Sequence, residues 1–318
     1  MTDVLAIGEA LIDFAPVSVD ETGYPTMAAK PGGAPANFLA ALTKRGLSTG
    51  LITKVGDDAF GKLLKGTLDD VGISTDGVMT DSDVFTTLAF VTLDETGDRD
   101  FSFARKPGAD TCMNFDEIDT TLIDNTKVFH FGTLSLTNDP SKTATEKAIA
   151  YAKSKGKIIT FDPNLRVPLW PDLEDAKKAI LWGCAQADII KISIEEVEFI
   201  FGCGEKEGAE KLLNEYGVKL AFVTLGKDGC YFANKNGTGY VKGYSVKTVD
   251  TTGAGDIFGG TAVYGVLSSG KAPEDLSAEE VTEITDVACA TAALSTTKFG
   301  GILSVPNPDD VEEFRKAN

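Results

Sequence analysis

At 318 residues, with 42% apolar and 25% charged side chains, the chain is long enough to bury a large core and has the composition of a soluble globular protein. Its net charge of −18 comes with lysines and arginines scattered along the sequence, which leaves no basic face for nucleic-acid phosphates and argues against a nucleic-acid partner. No run approaches the roughly 18 apolar residues of a membrane span, the N-terminal stretch "MTDVLAIGEALIDF" is acidic rather than basic, and five cysteines without a CxxC suit reduced thiols, so the expected location is cytoplasmic.

Short apolar runs alternate with longer amphipathic stretches, the pattern of βαβ units around a mostly parallel sheet. "VLAIG" predicts the first core strand, and Asp13 lies just beyond it, an acid at a strand end able to accept hydrogen bonds from two sugar hydroxyls. Residues 14–30 break the rhythm. In "KPGGAPANFLAAL", Gly32 and Gly33 precede a helix that Pro35 can start, with Asn37 one turn in as a donor and acceptor pair; the alternative reading is a tight turn and nothing more. "LITKV" predicts the next strand. "GDDAFGKL" (56–63) matches a phosphate loop until Leu63, which has no hydroxyl for Mg²⁺, and no G-x-G-x-x-G follows the first strand, so hydride transfer is not expected. Helix patterns after these strands end on Gly46, Gly72 and Gly156.

Residues 85–104, "FTTLAFVTLDETGDRDFSFA", read as a hairpin with turn "DETGD"; with 14–30 they form a small β-sheet lid inserted in one domain spanning 1–318. The lid exposes an apolar face that a second copy could cover, making a homodimer the expected assembly. "VFHF" holds the only histidine, His130, which excludes a multi-histidine metal site and suits a core or sheet-end role. "IITF" predicts a strand that leads into "FDPNLR" and Arg166, a fixed fork of donors; "DIIKI" and "AFVT" complete the core strands. Acid, amide and arginine at strand ends describe a polyol site, because open α/β sheets bind ligands beyond their carboxyl ends.

"VDTTGAGDIFGG" (249–260) places Gly253, Ala254 and Gly255 at the start of a small-and-apolar stretch that predicts a buried helix. Free N–H groups and the positive dipole end make such a terminus an anion site, and the small residues let a phosphate approach the backbone. Residue type alone leaves Asp256 between a capping acid and an acceptor for a hydroxyl proton.

With "GGAPAN", "KVGDDAFG" and "DTTGAGD" in order, the whole chain resembles the ribokinase-like (PfkB) carbohydrate kinases, and among them the fructokinases. The resemblance implies a Rossmann-like α/β domain with a β lid, ATP and Mg²⁺ as requirements, and phosphoryl transfer to a sugar hydroxymethyl. By that resemblance Asp256 is the general base, and the N–H groups of Gly253, Ala254 and Gly255 form the anion hole. Asp13, Gly32, Gly33, Asn37, Arg105 and Arg166 match sugar contacts. Lys191, Thr224, Gly226 and Gly229 match ATP contacts, with Glu196 near Mg²⁺ through water. Asp250 and Thr252, with Ser295, Lys298, Gly300 and Ser304 of "STTKFGGILS", resemble a monovalent cation site, which implies K⁺. Two positions depart from the family pattern: Ser193 stands for Asn in "SIEE", and Ala104 precedes Arg105 where relatives carry an aromatic residue. The arginine region is shared with 2-keto-3-deoxygluconate kinases, while "KPGAD" points to fructose.

Overall fold

The computed structural model describes residues 2–93 and 99–318. In chain order, β1 (Thr2–Ile7) is followed by β2 (Leu11–Val19), β3 (Pro25–Gly32), α1 (Ala34–Thr43), β4 (Thr49–Gly56), α2 (Ala59–Val71), β5 (Ile73–Ser74) and β6 (Val78–Asp81). The middle of the chain carries β7 (Leu88–Leu93), β8 (Arg99–Ala104), α3 (Thr120–Asp124), β9 (Thr126–Gly132), α4 (Ser141–Ser154), β10 (Ile158–Asp162), α5 (Leu173–Gln186), β11 (Ile189–Ser193) and α6 (Ile194–Phe201). The last third holds α7 (Glu205–Tyr216), β12 (Leu220–Thr224), β13 (Gly229–Asn234), β14 (Gly237–Lys242), α8 (Ala254–Ser269), α9 (Ala278–Ser295) and α10 (Pro308–Ala317).

Among the described residues the main sheet has ten strands in the order β14-β13-β12-β11-β10-β9-β1-β4-β5, with β6 also on β4. From β12 to β5 the pairs are parallel, whereas β13 and β14 add an antiparallel edge. Parallel strands covered on both faces must be apolar along their length, which is why "LITKV" reads as a run rather than an alternation: every residue of β4 is buried. One face buries Phe129, Phe131 and Phe161 with α4 and α5 residues such as Ile149 and Ile180. The other packs Val4 and Leu51 against Leu39 and Leu42 of α1. Strand order reverses around β1, whose neighbours are β4 and β9, so a crevice opens beyond their carboxyl ends.

The lid is a separate four-stranded sheet, β3-β2-β7-β8. Its first segment is longer than residues 14–30, because pairing starts at Leu11 with Gly32 and puts Asp13 opposite Lys30. Leu11 and Ile12 are buried at the root, so their apolar character belongs to the lid's attachment and does not mark its edge. β7 and β8 pair antiparallel as the hairpin reading requires, while the turn "DETGD" lies outside the described residues. Gly46, Gly72 and Gly156 all adopt positive φ where the helix patterns stop. The phosphate-loop lookalike is structural: Asp58 caps α2 by accepting from Phe60 N at 2.8 Å and Gly61 N at 2.9 Å. Among the described residues no helix is long and apolar enough to cross a membrane. All five cysteines are free thiols, with Cys184, Cys230 and Cys289 buried.

Candidate active site

Gly253 takes φ 78°, a left-handed conformation, and α8 starts behind it with no side-chain cap. Asp256 sits in the first turn and is only 7% exposed. Both of its oxygens are held: Asn37 Nδ2 donates to Oδ2 at 2.9 Å and Asn164 Nδ2 donates to Oδ1 at 2.8 Å. Asn37 comes from the first turn of α1, which reaches α8 because Gly260 has no side chain; a Cβ there would lie 2.3 Å from the Phe38 carbonyl. Asn164 comes from the loop after β10 and has φ 46°, a left-handed conformation that asparagine tolerates better than most residues. Asn37 Oδ1 is buried without a hydrogen-bond partner among the described residues, an acceptor suited to a ligand hydroxyl.

Burial pushes the Asp256 carboxyl up to about 7; the negative charge of Asp162 adds to this, while Lys191, Asn37 and Arg166 oppose it. Lys191 Nζ lies 3.0 Å from Asp162 Oδ2. Burial alone would lower the Lys191 ammonium, but Asp162, Glu196 and Asp256 together raise it. Glu196 is raised by burial, with Lys191 opposing. Its oxygens accept from Ser193 N at 2.9 Å and Leu165 N at 2.8 Å, and Ser193 Oγ accepts from Glu196 N at 3.2 Å. Ser193 and Glu196 therefore form a capping box for α6, and Glu196 also ties down the loop that carries Asn164 and Arg166.

Two cavities meet at the start of α8. The first, about 660 Å³, is lined by Glu9, Asp13, Gly33, Asn37, Asn164, Arg166, Lys191, Glu196, Gly253 and Asp256, with Phe103, Leu134 and Phe199 as apolar walls. The second, about 480 Å³, is lined by Thr224, Gly226, Gly229, Tyr244, Ala254, Phe258 and Cys289. Thr251 and Gly255 line both, so the helix N-terminus stands between them. A Cβ at Gly255 would approach Lys191 Nζ to 2.8 Å, so a side chain there would push the ammonium aside. The Ala254 N–H already donates to the Thr251 carbonyl at 3.2 Å and serves an anion only by sharing that hydrogen.

Most of the expected residues converge. Gly32 lies beside Asp13, whose Oδ2 would be 2.4 Å from a Cβ at that position. Lys191 lines the first cavity with Asp256, apart from Thr224, Gly226 and Gly229 in the second. Of the sugar-contact candidates, Gly32 and Arg105 are absent from the first cavity's lining, and Arg105 is held elsewhere. Its Nε and one terminal nitrogen donate to Asp110 Oδ2 at 2.8 and 2.6 Å, and it also donates to Thr137 Oγ1 at 2.8 Å and the Leu134 carbonyl at 2.9 Å. Of the cation-site residues, Asp250 accepts from Thr252 N at 2.9 Å and Gly300 N at 3.0 Å. The hydroxyls of Ser295 and Ser304 turn to the Ala292 and Gly301 carbonyls, and Lys298 is exposed. Sequence reasoning misses Glu9, Asp162 and Asn164; the last two lie in "FDPNLR", where the strand-end position that singles out Arg166 applies equally to them. His130 is a core residue, stacked on Phe38 at 3.7 Å, and burial lowers it to about 3.

A buried carboxylate fixed by two amides, standing where a polar-lined cavity and a second cavity meet at a helix N-terminus, is the arrangement of a phosphotransferase acting on an alcohol. Residues 1–308 match the pfkB family carbohydrate kinases, and the chain belongs to that family. It is 39% identical over 318 residues to probable fructokinase-4 of Arabidopsis thaliana, covering 99% of this chain and 97% of that one. Fructokinase-2 of Solanum lycopersicum is 41% identical over 311 residues, covering 96% and 94%. Among solved structures, the ATP-bound fructokinase of Xylella fastidiosa superposes with a TM-score of 0.91 at 27% identity, covering 99% and 98%. A Vibrio cholerae O395 fructokinase double mutant in its fructose-, ADP- and potassium-bound form gives 0.85 at 30% identity, covering 99% and 98%.

Proposed function

We propose that this chain is an ATP-dependent fructokinase, one kinase domain with an inserted lid, that phosphorylates the 6-hydroxyl of D-fructose. The observation that carries the reading is Asp256 at the junction of the two cavities, with both oxygens held by amides and its carboxyl raised to about 7, close to the pH at which a general base works. Fructose sits in the first cavity on Asp13, Gly32, Gly33, Asn37 and Arg166, and the nucleotide sits in the second on Thr224, Gly226 and Gly229. Asp256 takes the hydroxyl proton as that oxygen bonds to the γ-phosphorus and the bond to ADP breaks. Backbone N–H groups at Gly253, Ala254 and Gly255 and the ammonium of Lys191 meet the charge on the moving phosphoryl group. Mg²⁺ neutralises triphosphate charge when bound, and Glu196, whose two oxygens already accept backbone hydrogens, would reach it through water. A monovalent cation such as K⁺ beside the Asp250 to Gly300 contact belongs to the same proposal, as does a cytoplasmic location for five free thiols.

Charge favours a neutral sugar over 2-keto-3-deoxygluconate. The Arg105 guanidinium, a cation that a sugar acid could use, is neutralised by Asp110, and both side chains are only 2% exposed. Glu9, Asp13, Glu195, Glu196 and Asp256 face the first cavity against the cations Arg166 and Lys191, so a carboxylate substrate enters an acidic wall. The test is ADP formation from ATP and Mg²⁺ across fructose, ribose, tagatose, 2-keto-3-deoxygluconate and adenosine, with a no-sugar control. Fructose preference is expected; preference for the sugar acid would overturn the charge reading, and ADP release independent of any sugar would overturn the kinase reading. A homodimer through the lid is supported by Val17, Val19 and Tyr24, which are 64%, 68% and 70% exposed. Monomeric elution at micromolar concentration would remove that assembly.

A further inference from the structure

We infer that Glu9 is a positioning residue for phosphoryl transfer: its carboxylate caps the N-terminus of α1 from another segment of the chain and thereby fixes Asn37, and through Asn37 the base Asp256. This rests on the kinase reading above and adds to it a residue that touches neither the reacting hydroxyl nor the phosphoryl group.

Helix α1 opens on Gly33, which has no side chain to satisfy the first N–H groups of the helix. Glu9 Oε1 accepts from Ala34 N at 2.8 Å, across 25 residues of sequence, and so puts a carboxylate at the positive end of the helix. The first turn then transmits that position: Asn37 N donates to the Gly33 carbonyl at 3.1 Å, and Asn37 Nδ2 holds Asp256 Oδ2 at 2.9 Å. Backbone contacts over-determine the clamp. A Cβ on Gly33 would lie 2.5 Å from the Glu9 carbonyl, and one on Gly8 would lie 2.6 Å from Pro35 Cγ, so residues 8–9 are pressed against 33–35.

These two segments are also crossings between body and lid. Residues 8–10 lead from β1 into β2, and Gly33 leads from β3 back into α1, so Glu9 ties one crossing to the other beside the sugar cavity. Keeping a carboxyl there is costly. Glu9 is 2% exposed, burial pushes it up to about 7, and its own and the Ala34 N–H groups only partly offset that, with Asp110 raising it further and Arg105 lowering it. An apolar side chain of similar size would fill the same space more cheaply, so the acceptor oxygen is what the position supplies.

The test is steady-state kinetics of Glu9→Ala, Glu9→Gln, Asn37→Ala and the Glu9→Ala/Asn37→Ala double variant, after the wild type has been assayed on the sugar panel. Glu9→Ala is expected to lower kcat by roughly 10- to 100-fold, the scale of a small misplacement of reacting groups, with KM for ATP unchanged because the nucleotide cavity is lined by other segments. Glu9→Gln keeps the acceptor and should recover most of that loss. If Glu9 acts through Asn37, the double variant is slower than Asn37→Ala by no more than about twofold, the limit of non-interacting error in such cycles. Losses that multiply, no recovery with glutamine, or a Glu9→Ala kcat within about twofold of wild type would each overturn the inference. Should Glu9→Ala not fold by circular dichroism, Glu9→Gln decides alone: a loss beyond about tenfold overturns it and a smaller one supports it. A wild type idle on fructose but active on another sugar overturns only the fructose reading, and the variants are then measured on that sugar.

Discussion

Replacing Asn164 with glycine should move the acid limb of the kinase's pH profile upward while leaving the fold intact. The amide of Asn164 donates to Asp256 Oδ1 at 2.8 Å, a hydrogen bond to the ionised form of a buried carboxyl. Bonds to charged groups contribute about 1.5–3 kcal/mol, and one unit of pKa corresponds to about 1.4 kcal/mol. Losing the bond therefore raises the Asp256 carboxyl, already pushed up to about 7 by burial, by about 1–2 further units. The sign is fixed: the donor stabilises the charged state, so its removal favours the proton, and a base that must be ionised works only at higher pH. Glycine is the informative substitution because Asn164 has φ 46°, where alanine would add backbone strain unrelated to the base. The assay is kcat/KM for fructose from pH 6 to 9 by coupled ADP release. At pH 7, where the wild-type carboxyl is about half ionised, the expected loss is roughly 5- to 50-fold, shrinking as pH rises. An acid limb unmoved, with kcat/KM at pH 7 within about twofold of wild type, would refute both the assignment of Asp256 as base and the role of Asn164 in holding it.

Where the main chain makes structure by local pattern, the sequence is a good guide. The runs containing Phe129, Phe161 and Phe222 are apolar because both sheet faces are covered, and such runs announce core strands without reference to anything distant. Asp256 is legible only in part: three small residues followed by an acid mark a helix start open to an anion, but residue type leaves the acid between a cap and a proton acceptor, and the amides that hold it come from distant segments. Arg105 is ambiguous in the sequence because its partner cannot be inferred: an arginine near a strand end suits a ligand as well as it suits an acid, and only the folded loop brings Asp110 to 2.6 Å. Ser193 looks like a loss when set against the family's asparagine, yet "SIEE" also contains the S-x-x-E spacing of a capping box, and the structure uses it so. Glu9 carries no local signal, because its acceptor serves a helix that begins 25 residues later.

Asp256→Asn should lower kcat by about 10²–10⁴-fold while ATP still binds, measured by single-turnover kinetics and nucleotide titration. The same substitution should stabilise the protein at alkaline pH. Because the folded-state carboxyl is raised to about 7, the wild type's stability is fullest below the ordinary carboxylate range and declines as pH rises through 7, a loss that the amide avoids. A melting-temperature difference that favours the variant at pH 8 and closes by pH 4 is expected; equal melting curves at pH 8 would mean that Asp256 is solvated, against its burial. Arg105→Ala separates the two readings of that residue. Removing it leaves Asp110 a buried, unpaired charge with Thr87 as its remaining hydroxyl donor, a cost on the order of 3–5 kcal/mol that thermal denaturation reads directly. In protein still folded at the assay temperature, KM for fructose should stay within about threefold of wild type, because the guanidinium faces Thr137 and the Leu134 carbonyl and is not part of the sugar cavity's lining. The opposite result, an unchanged melting temperature with KM for fructose raised by about tenfold or more, would return Arg105 to the sugar and require the Asp110 pair to open when substrate binds.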